Sequence, residues 1–194
     1  MYRAKLLAAT AALTVLASAS SASAATYLIS RTIGTGSVNG TITTNAIGVL
    51  SNVNITAFNL TLNDGTGSIV INQSNAAVAI SGTAFTATAT GLFFDFGASG
   101  NQYALFQNPS IGSGKNDFCL QTAGCFDFSG AGENVDVSST FPGQINRLRG
   151  NVQIGAVQSG AVPEPATWAM MIGGFGAIGA TMRYRRRKVA VSFA

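Results

Sequence analysis

Between positions 26 and 161 apolar residues recur at every second position in short runs, and no long stretch shows the three-to-four spacing of a helix. Phe85, Ala87 and Ala89 alternate with Thr86, Thr88 and Thr90, and the register continues through Leu92, Phe94 and Phe96 on the threonine side, which predicts one long strand. From Arg147 to Ala156, the residues Arg147, Arg149, Asn151 and Gln153 fall on one face, with Leu148, Gly150, Val152, Ile154 and Ala156 on the other. That predicts a strand with one wet face. Ile55 to Leu62 alternates too, but its phase slips at Ala57 and Phe58, as a bulge would make it. Asn63-Asp64-Gly65 then supplies turn chemistry before Ser68 to Ile71, so a hairpin is expected. Further strands are expected around Tyr27 to Thr32, Ser37 to Thr43, Ala77 to Ser81, Gln102 to Phe106, Asp117 to Leu120 and Cys125 to Phe128. Many short strands at this spacing predict an all-β body, residues 25–161, built as an antiparallel β-sandwich or jelly-roll-like fold. Phe58, Phe85, Phe94, Tyr103, Phe106 and Phe118 are its candidate core.

The two ends break this pattern. Residues 1–24 open with Arg3 and Lys5, run through apolar residues from Leu6 to Ala17, and finish on Ala22-Ser23-Ala24. This order predicts a secretory signal peptide cut by signal peptidase between Ala24 and Ala25, because the peptidase groove accepts only small side chains. At the other end, Pro163-Glu164-Pro165-Ala166-Thr167-Trp168-Ala169 leads into an apolar stretch ending at Met182, and Arg183, Arg185, Arg186, Arg187 and Lys188 follow. A helix over 166–182 is about 25 Å long, the short edge of a membrane span. The basic cluster holds its end in the cytoplasm while the signal peptide sends the body across. Pro163 and Pro165 keep the backbone before the helix extended, the form a protease cleft grips. Gly173, Gly174, Gly176 and Gly179 leave a groove for a neighbouring membrane helix.

The segment 162–188 resembles the PEP-CTERM sorting signal of Gram-negative bacteria, in its Pro-Glu-Pro-x-x-Trp-Ala form. The resemblance rests on Pro163, Glu164, Pro165, Trp168 and Ala169, on Met171-Ile172-Gly173-Gly174-Phe175-Gly176, and on the arginine run. The same tail circulates as an ice-binding protein C-terminal domain, a label that says nothing of the body. Six residues, Val189 to Ala194, continue past the usual end. The resemblance implies a substrate of exosortase, a membrane protease that brings its own catalytic residues, and a transient stay in the inner membrane before cleavage near Pro163-Glu164-Pro165. Such substrates are linked to exopolysaccharide, biofilm and outer-surface material. The body's opening, Gly40-Thr41-Ile42-Thr43-Thr44 and Gly48-Val49-Leu50, is similar to other passengers of this class and implies no activity.

Composition sharpens the picture. The 194 residues include no histidine and only 9% charged residues against 47% hydrophobic, which removes imidazole catalysis and argues against nucleic acid as a partner. The net charge of +4 belongs to the ends, which hold seven of the eleven basic residues. The body carries Arg31, Lys115, Arg147 and Arg149 against Asp64, Asp95, Asp117, Asp127, Glu133 and Asp136, a net of −2.

Candidate chemistry in the body is sparse. Cys119 and Cys125 enclose five residues, and in an exported chain they are expected to form a disulfide that pins a hairpin between strands ending at Leu120 and starting at Cys125. Asp127, Glu133 and Asp136 sit in a glycine-rich stretch that reads as a solvated turn. Their spacing matches no standard calcium loop, and no metal or other cofactor is expected. The Thr86, Thr88 and Thr90 face could meet a flat hydroxylated surface, although such residues are ordinary strand formers. The reading that follows is a non-enzymatic exported protein, first an inner-membrane-anchored precursor with a periplasmic body, then in the outer envelope or matrix, where it meets exopolysaccharide or copies of itself. The alternatives are a secreted carbohydrate-active hydrolase, which would need Asp95, Asp127, Glu133 and Asp136 to converge in one cleft, and a permanent inner-membrane protein whose tail is never cut. Intact mass of the protein recovered from outer membrane and medium is expected to give a chain beginning at Ala25, ending near Val162 to Pro165, and gaining two hydrogens on reduction.

Overall fold

Thr, Val, Ile and Phe suit a pleated, half-buried backbone, and the segments rich in them are strands. The computed structural model describes residues 24–123, 125, 129–138, 143–158, 170–177, 179 and 183. Thirteen strands lie among them, all within the compact unit 22–159. They are β1 (Ala25–Ile33), β2 (Gly36–Thr44), β3 (Gly48–Val49), β4 (Ile55–Asn63), β5 (Ser68–Asn72), β6 (Ala77–Ser81) and β7 (Phe85–Ala87). The chain continues with β8 (Gly91–Asp95), β9 (Tyr103–Gln107), β10 (Asp117–Gln121), β11 (Gly132–Asp136), β12 (Gln144–Arg147) and β13 (Asn151–Val157).

One sheet has eight strands in the order β3-β7-β8-β13-β1-β2-β4-β5, the other five in the order β12-β11-β10-β9-β6, and every pairing is antiparallel. One hydrophobic cluster joins them. Tyr27, Ile29, Ile42, Leu60 and Phe94 of the first sheet share it with Phe106, Phe118, Leu120 and Val135 of the second. Phe58 meets Phe106 edge to face at 5.3 Å, and Phe106 stacks on Phe118 at 6.2 Å. The body is therefore an all-β sandwich, as the alternation predicts. Of the phenylalanines expected in the core all are buried, while Tyr103 is half-buried in a smaller cluster with Leu105, Cys119 and Cys125.

Local chemistry fixes the strand ends. The β4–β5 hairpin forms as predicted, and the bulge in β4 lies beside the expected place, because Thr43 and Thr44 of β2 pair with Ala57 and Ile55 and pass over Thr56. Gly40 has φ +147°, and a Cβ there would sit 2.0 Å from the Asn59 carbonyl oxygen, so β2 and β4 approach closely only with glycine.

Two long strands read from the sequence are corrected. The run from Phe85 to Phe96 is a hairpin: Phe85 pairs with Phe94, and Thr88 bends the chain by accepting at Oγ1 from the N–H of Thr90 (3.2 Å) and Gly91 (3.0 Å). Thr86, Thr88 and Thr90 therefore make no common face. The run from Arg147 to Ala156 is broken at Leu148-Arg149-Gly150, where the chain passes from β12 in one sheet to β13 in the other, with Gly150 at φ +67°.

Cys125 starts no strand. Residues 126–128 of that expected element lie outside the described residues, and the partner of β10 is β11, from Gly132. Glu133 and Asp136, read as part of a solvated turn, are buried in β11; Asp127 lies outside the described residues.

Candidate functional site

β11 is an inner strand whose two faces carry polar side chains out of water. Glu133, wholly buried, points between the sheets to Arg31 of β1, whose Nε donates to Oε2 at 3.0 Å and whose Nη2 donates to Oε1 at 2.8 Å. Arg31 also donates to the Gln153 carbonyl (3.3 Å), and Asn146 Nδ2 donates to Glu133 Oε1 (3.1 Å) and to the Thr32 carbonyl (2.7 Å). A carboxylate held by a two-pronged guanidinium and an amide is a fixed tie between sheets. Asp136, three positions on, lies on the other face, opposite Asp117 of β10. Asn134 donates to Asp117 Oδ2 at 3.3 Å on that face.

The disulfide between Cys119 and Cys125 is present, with Cα atoms 6.4 Å apart. It holds the loop after β10 against the outer face of the five-stranded sheet. Gln121 reinforces it, donating from Nε2 to the Gly130 carbonyl (2.9 Å) and accepting at Oε1 from the Cys125 N–H. Gln107 accepts from the Gly112 N–H at 2.6 Å, drawing in the loop after β9.

A second tie starts at the β4–β5 turn. Asp64 Oδ1 accepts from the N–H of Thr66 and Gly67 and from the Thr66 hydroxyl, each at 2.8 Å, and its Oδ2 accepts from the Val137 N–H at 3.2 Å. Burial pushes this carboxyl up, but these bonds outweigh it and hold it below the ordinary value of 3.8. Burial likewise raises the Tyr27 phenol, against a hydrogen bond with Thr44 that lowers it, and the hydroxyl donates to the Thr88 carbonyl at 2.8 Å.

Of the carboxylates weighed for a hydrolytic site, the three among the described residues lie apart, and Asp127 lies outside the described residues. Asp95 ends β8 and accepts from the Gly97 N–H at 2.9 Å, Glu133 is consumed by Arg31, and Asp136 lies on the opposite face of its strand. Among the described residues no group of three or more metal-ligating side chains occurs. An open cleft of about 780 Å³ lies between Phe96, Gly130, Arg147, Leu148 and Arg149.

The surface that the alternation did not single out is the outer face of β1, β2, β4 and β5 in the eight-stranded sheet. Thr26, Leu28, Ser30 and Thr32 of β1, Ser37, Asn39, Thr41 and Thr43 of β2, Ala57, Asn59, Thr61 and Asn63 of β4, and Ser68, Val70 and Asn72 of β5 point outward. None is charged. Its rows, such as Leu28-Thr41-Asn59-Asn72, become visible only once the register is known.

Ala24 is exposed and directly precedes Ala25, the first residue of β1. Ala22 and residues 1–21 lie outside the described residues, as do Pro163, Glu164, Pro165, Trp168, Ala169, Arg185, Arg186, Arg187 and Lys188. Of the expected 166–182 helix, 170–177 and 179 are helical, and so is Arg183 of the basic cluster. Met170, Ile172 and Phe175 are exposed there, and nothing lies within 4 Å of where a Cβ would stand on Gly173, Gly174, Gly176 or Gly179. Among the described residues no helix is long and apolar enough to cross a membrane.

A short apolar helix between a proline-containing motif and a basic cluster, behind a β-sandwich, is the build of a protein with a C-terminal sorting signal. The family model of the PEP-CTERM protein-sorting motif matches residues 161–187. The chain thus carries a PEP-CTERM protein-sorting motif, and the motif indicates an exported precursor, anchored in a membrane, with exosortase as its processing partner. No curated protein and no solved structure matches the chain.

Two outcomes follow for the inter-sheet ties. Glu133→Gln or Arg31→Met is expected to cost about 3 to 5 kcal/mol in urea unfolding, since each leaves a buried polar partner unmatched, and Arg31→Met with Glu133→Leu is expected to recover most of it. Because the Asp64 carboxyl titrates lower in the folded chain, its contribution is complete above the ordinary value of 3.8 and is lost as pH falls through the lower folded value. Asp64→Asn is expected to flatten that acid limb of the stability curve, measured by unfolding midpoint against pH.

Proposed function

We propose that this chain is a non-enzymatic protein of the outer envelope or extracellular matrix, exported by its signal peptide, held in the inner membrane by the 166–182 helix, and released by exosortase near Pro163-Glu164-Pro165. The observation that carries the reading is the sorting motif at 161–187 in a chain that opens with a secretory pattern. The prolines present an extended backbone to the protease, the apolar helix holds the substrate in the plane of the membrane, and Arg183 to Lys188 set its direction. The body is cargo. The separation of Asp95, Glu133 and Asp136 favours a binding role over hydrolysis, and the uncharged outer face of β1, β2, β4 and β5, rich in hydroxyls and amides, favours neutral, hydroxyl-rich polysaccharide as the material it meets.

Replacement of Pro163, Glu164 and Pro165 by alanine tests the route. The wild-type chain is expected in outer membrane and medium with its tail removed; the variant is expected in the inner membrane with Trp168 still attached. A variant processed like the wild type would sink the proposed cleavage signal, and a wild-type chain that keeps Trp168 through Ala194 would make the tail a permanent anchor. Co-sedimentation of the released protein with neutral exopolysaccharide, without release of reducing sugar, is the expected result for the body.

A further inference from the structure

The last strand of a sheet leaves half of its backbone groups without a neighbour, and an uncharged, β-branched strand in that place is a template for another chain. β5 is such a strand. Ser68-Ile69-Val70-Ile71-Asn72 ends the eight-stranded sheet, carries no charge and no proline, and has Ser68 and Val70 exposed. In a strand, a carbonyl and the N–H two residues on point to the same side. In β5 one side chain takes both such groups: Asn75 Nδ2 donates to the Val70 carbonyl at 3.0 Å, and Asn75 Oδ1 accepts from the Asn72 N–H at 2.7 Å. These are two of the backbone bonds that an adjoining strand would make along this edge.

The turn after β5 is built to hold that amide in place. The Asn75 N–H donates to the Asn72 carbonyl (3.1 Å), the Ser74 N–H and hydroxyl donate to Asn72 Oδ1 (2.8 and 2.6 Å), and Asn108 Nδ2 donates to the Asn75 carbonyl (2.5 Å). The five-stranded sheet uses the same device at β6, where Asn52 Oδ1 accepts from the Ile80 N–H at 2.5 Å. At its other end the eight-stranded sheet stops with β3, two residues long.

We propose that Asn75 is an edge guard: its carboxamide occupies the place of a ninth strand, and without it Ser68–Asn72 pairs antiparallel with the same segment of a second copy of this chain. The segment is self-complementary about Val70, since a two-fold pairing sets Val70 against Val70 and places no like charges opposite one another.

The test uses the full chain in detergent micelles, with protein mass read by size-exclusion chromatography and light scattering. Wild type is expected at the mass of one copy and Asn75→Ala at the mass of two, in a share that rises with concentration. Adding Val70→Lys to Asn75→Ala places like charges at the two-fold and is expected to restore one copy, whereas pairing through the membrane helix would not respond. Near-ultraviolet circular dichroism reports folding; if Asn75→Ala does not fold, Asn75→Ser keeps a short acceptor in the turn while leaving the Val70 carbonyl open, and is expected to pair in the same way. A folded Asn75 variant that keeps the wild-type mass overturns the proposal, as does a dimer indifferent to Val70→Lys. A wild-type dimer dispersed by Val70→Lys overturns it too, because the edge would then be open with Asn75 in place.

Discussion

The sandwich depends on the insertion of its last strand between two others. β13 pairs with β8 on one side and β1 on the other, so without it the eight-stranded sheet falls into two pieces, β3-β7-β8 and β1-β2-β4-β5. The pairing of Tyr27 with Val157 joins positions from opposite ends of the body, and such non-local closure is slow because a long loop must be ordered first. For an exported chain the order of events matters. The sheet cannot close until residues 151–157 pair between β8 and β1.

Closure alone does not fix one sheet against the other. The apolar core is non-directional, whereas the Arg31–Glu133 pair and the Asp64–Val137 bond each join particular atoms of facing elements. A buried ion pair adds little net stability over well-packed apolar side chains, but an offset that separates its partners is heavily penalised. These ties therefore select a relative position for the sheets more than they strengthen it. The disulfide and Gln121 act likewise on the outer face of the five-stranded sheet, fixing where the loop after β10 lies.

Most of this architecture was legible where alternation is clean and turns are rich in Gly, Asn and Asp. β6 coincides with its expected bounds, and β1, β2, β9 and β10 differ by a few residues at most. Legibility failed where a hydroxyl side chain makes the turn: Thr88 breaks a run whose alternation otherwise continues, and nothing in the pattern separates it from Thr86. It failed also at β11, whose Gly132-Glu133-Asn134-Val135-Asp136 has the composition of a solvated turn. That strand is buried because its polar groups find partners far away in the chain: Arg31 lies 102 positions from Glu133 and Asp117 17 from Asn134. The sorting tail was the reverse case. Its meaning is carried by a linear order of residue types, which needs no fold to be read, and the family match fell on the same residues.

The neighbouring strands β1 and β13 have one more consequence. The Gln158 N–H donates to the Thr26 carbonyl at 2.8 Å, so the polypeptide enters and leaves the sandwich at one place, and the body is topologically a loop drawn shut at its neck. A module of this outline is portable: it fits as an insertion into an unrelated host wherever two adjacent chain ends are offered.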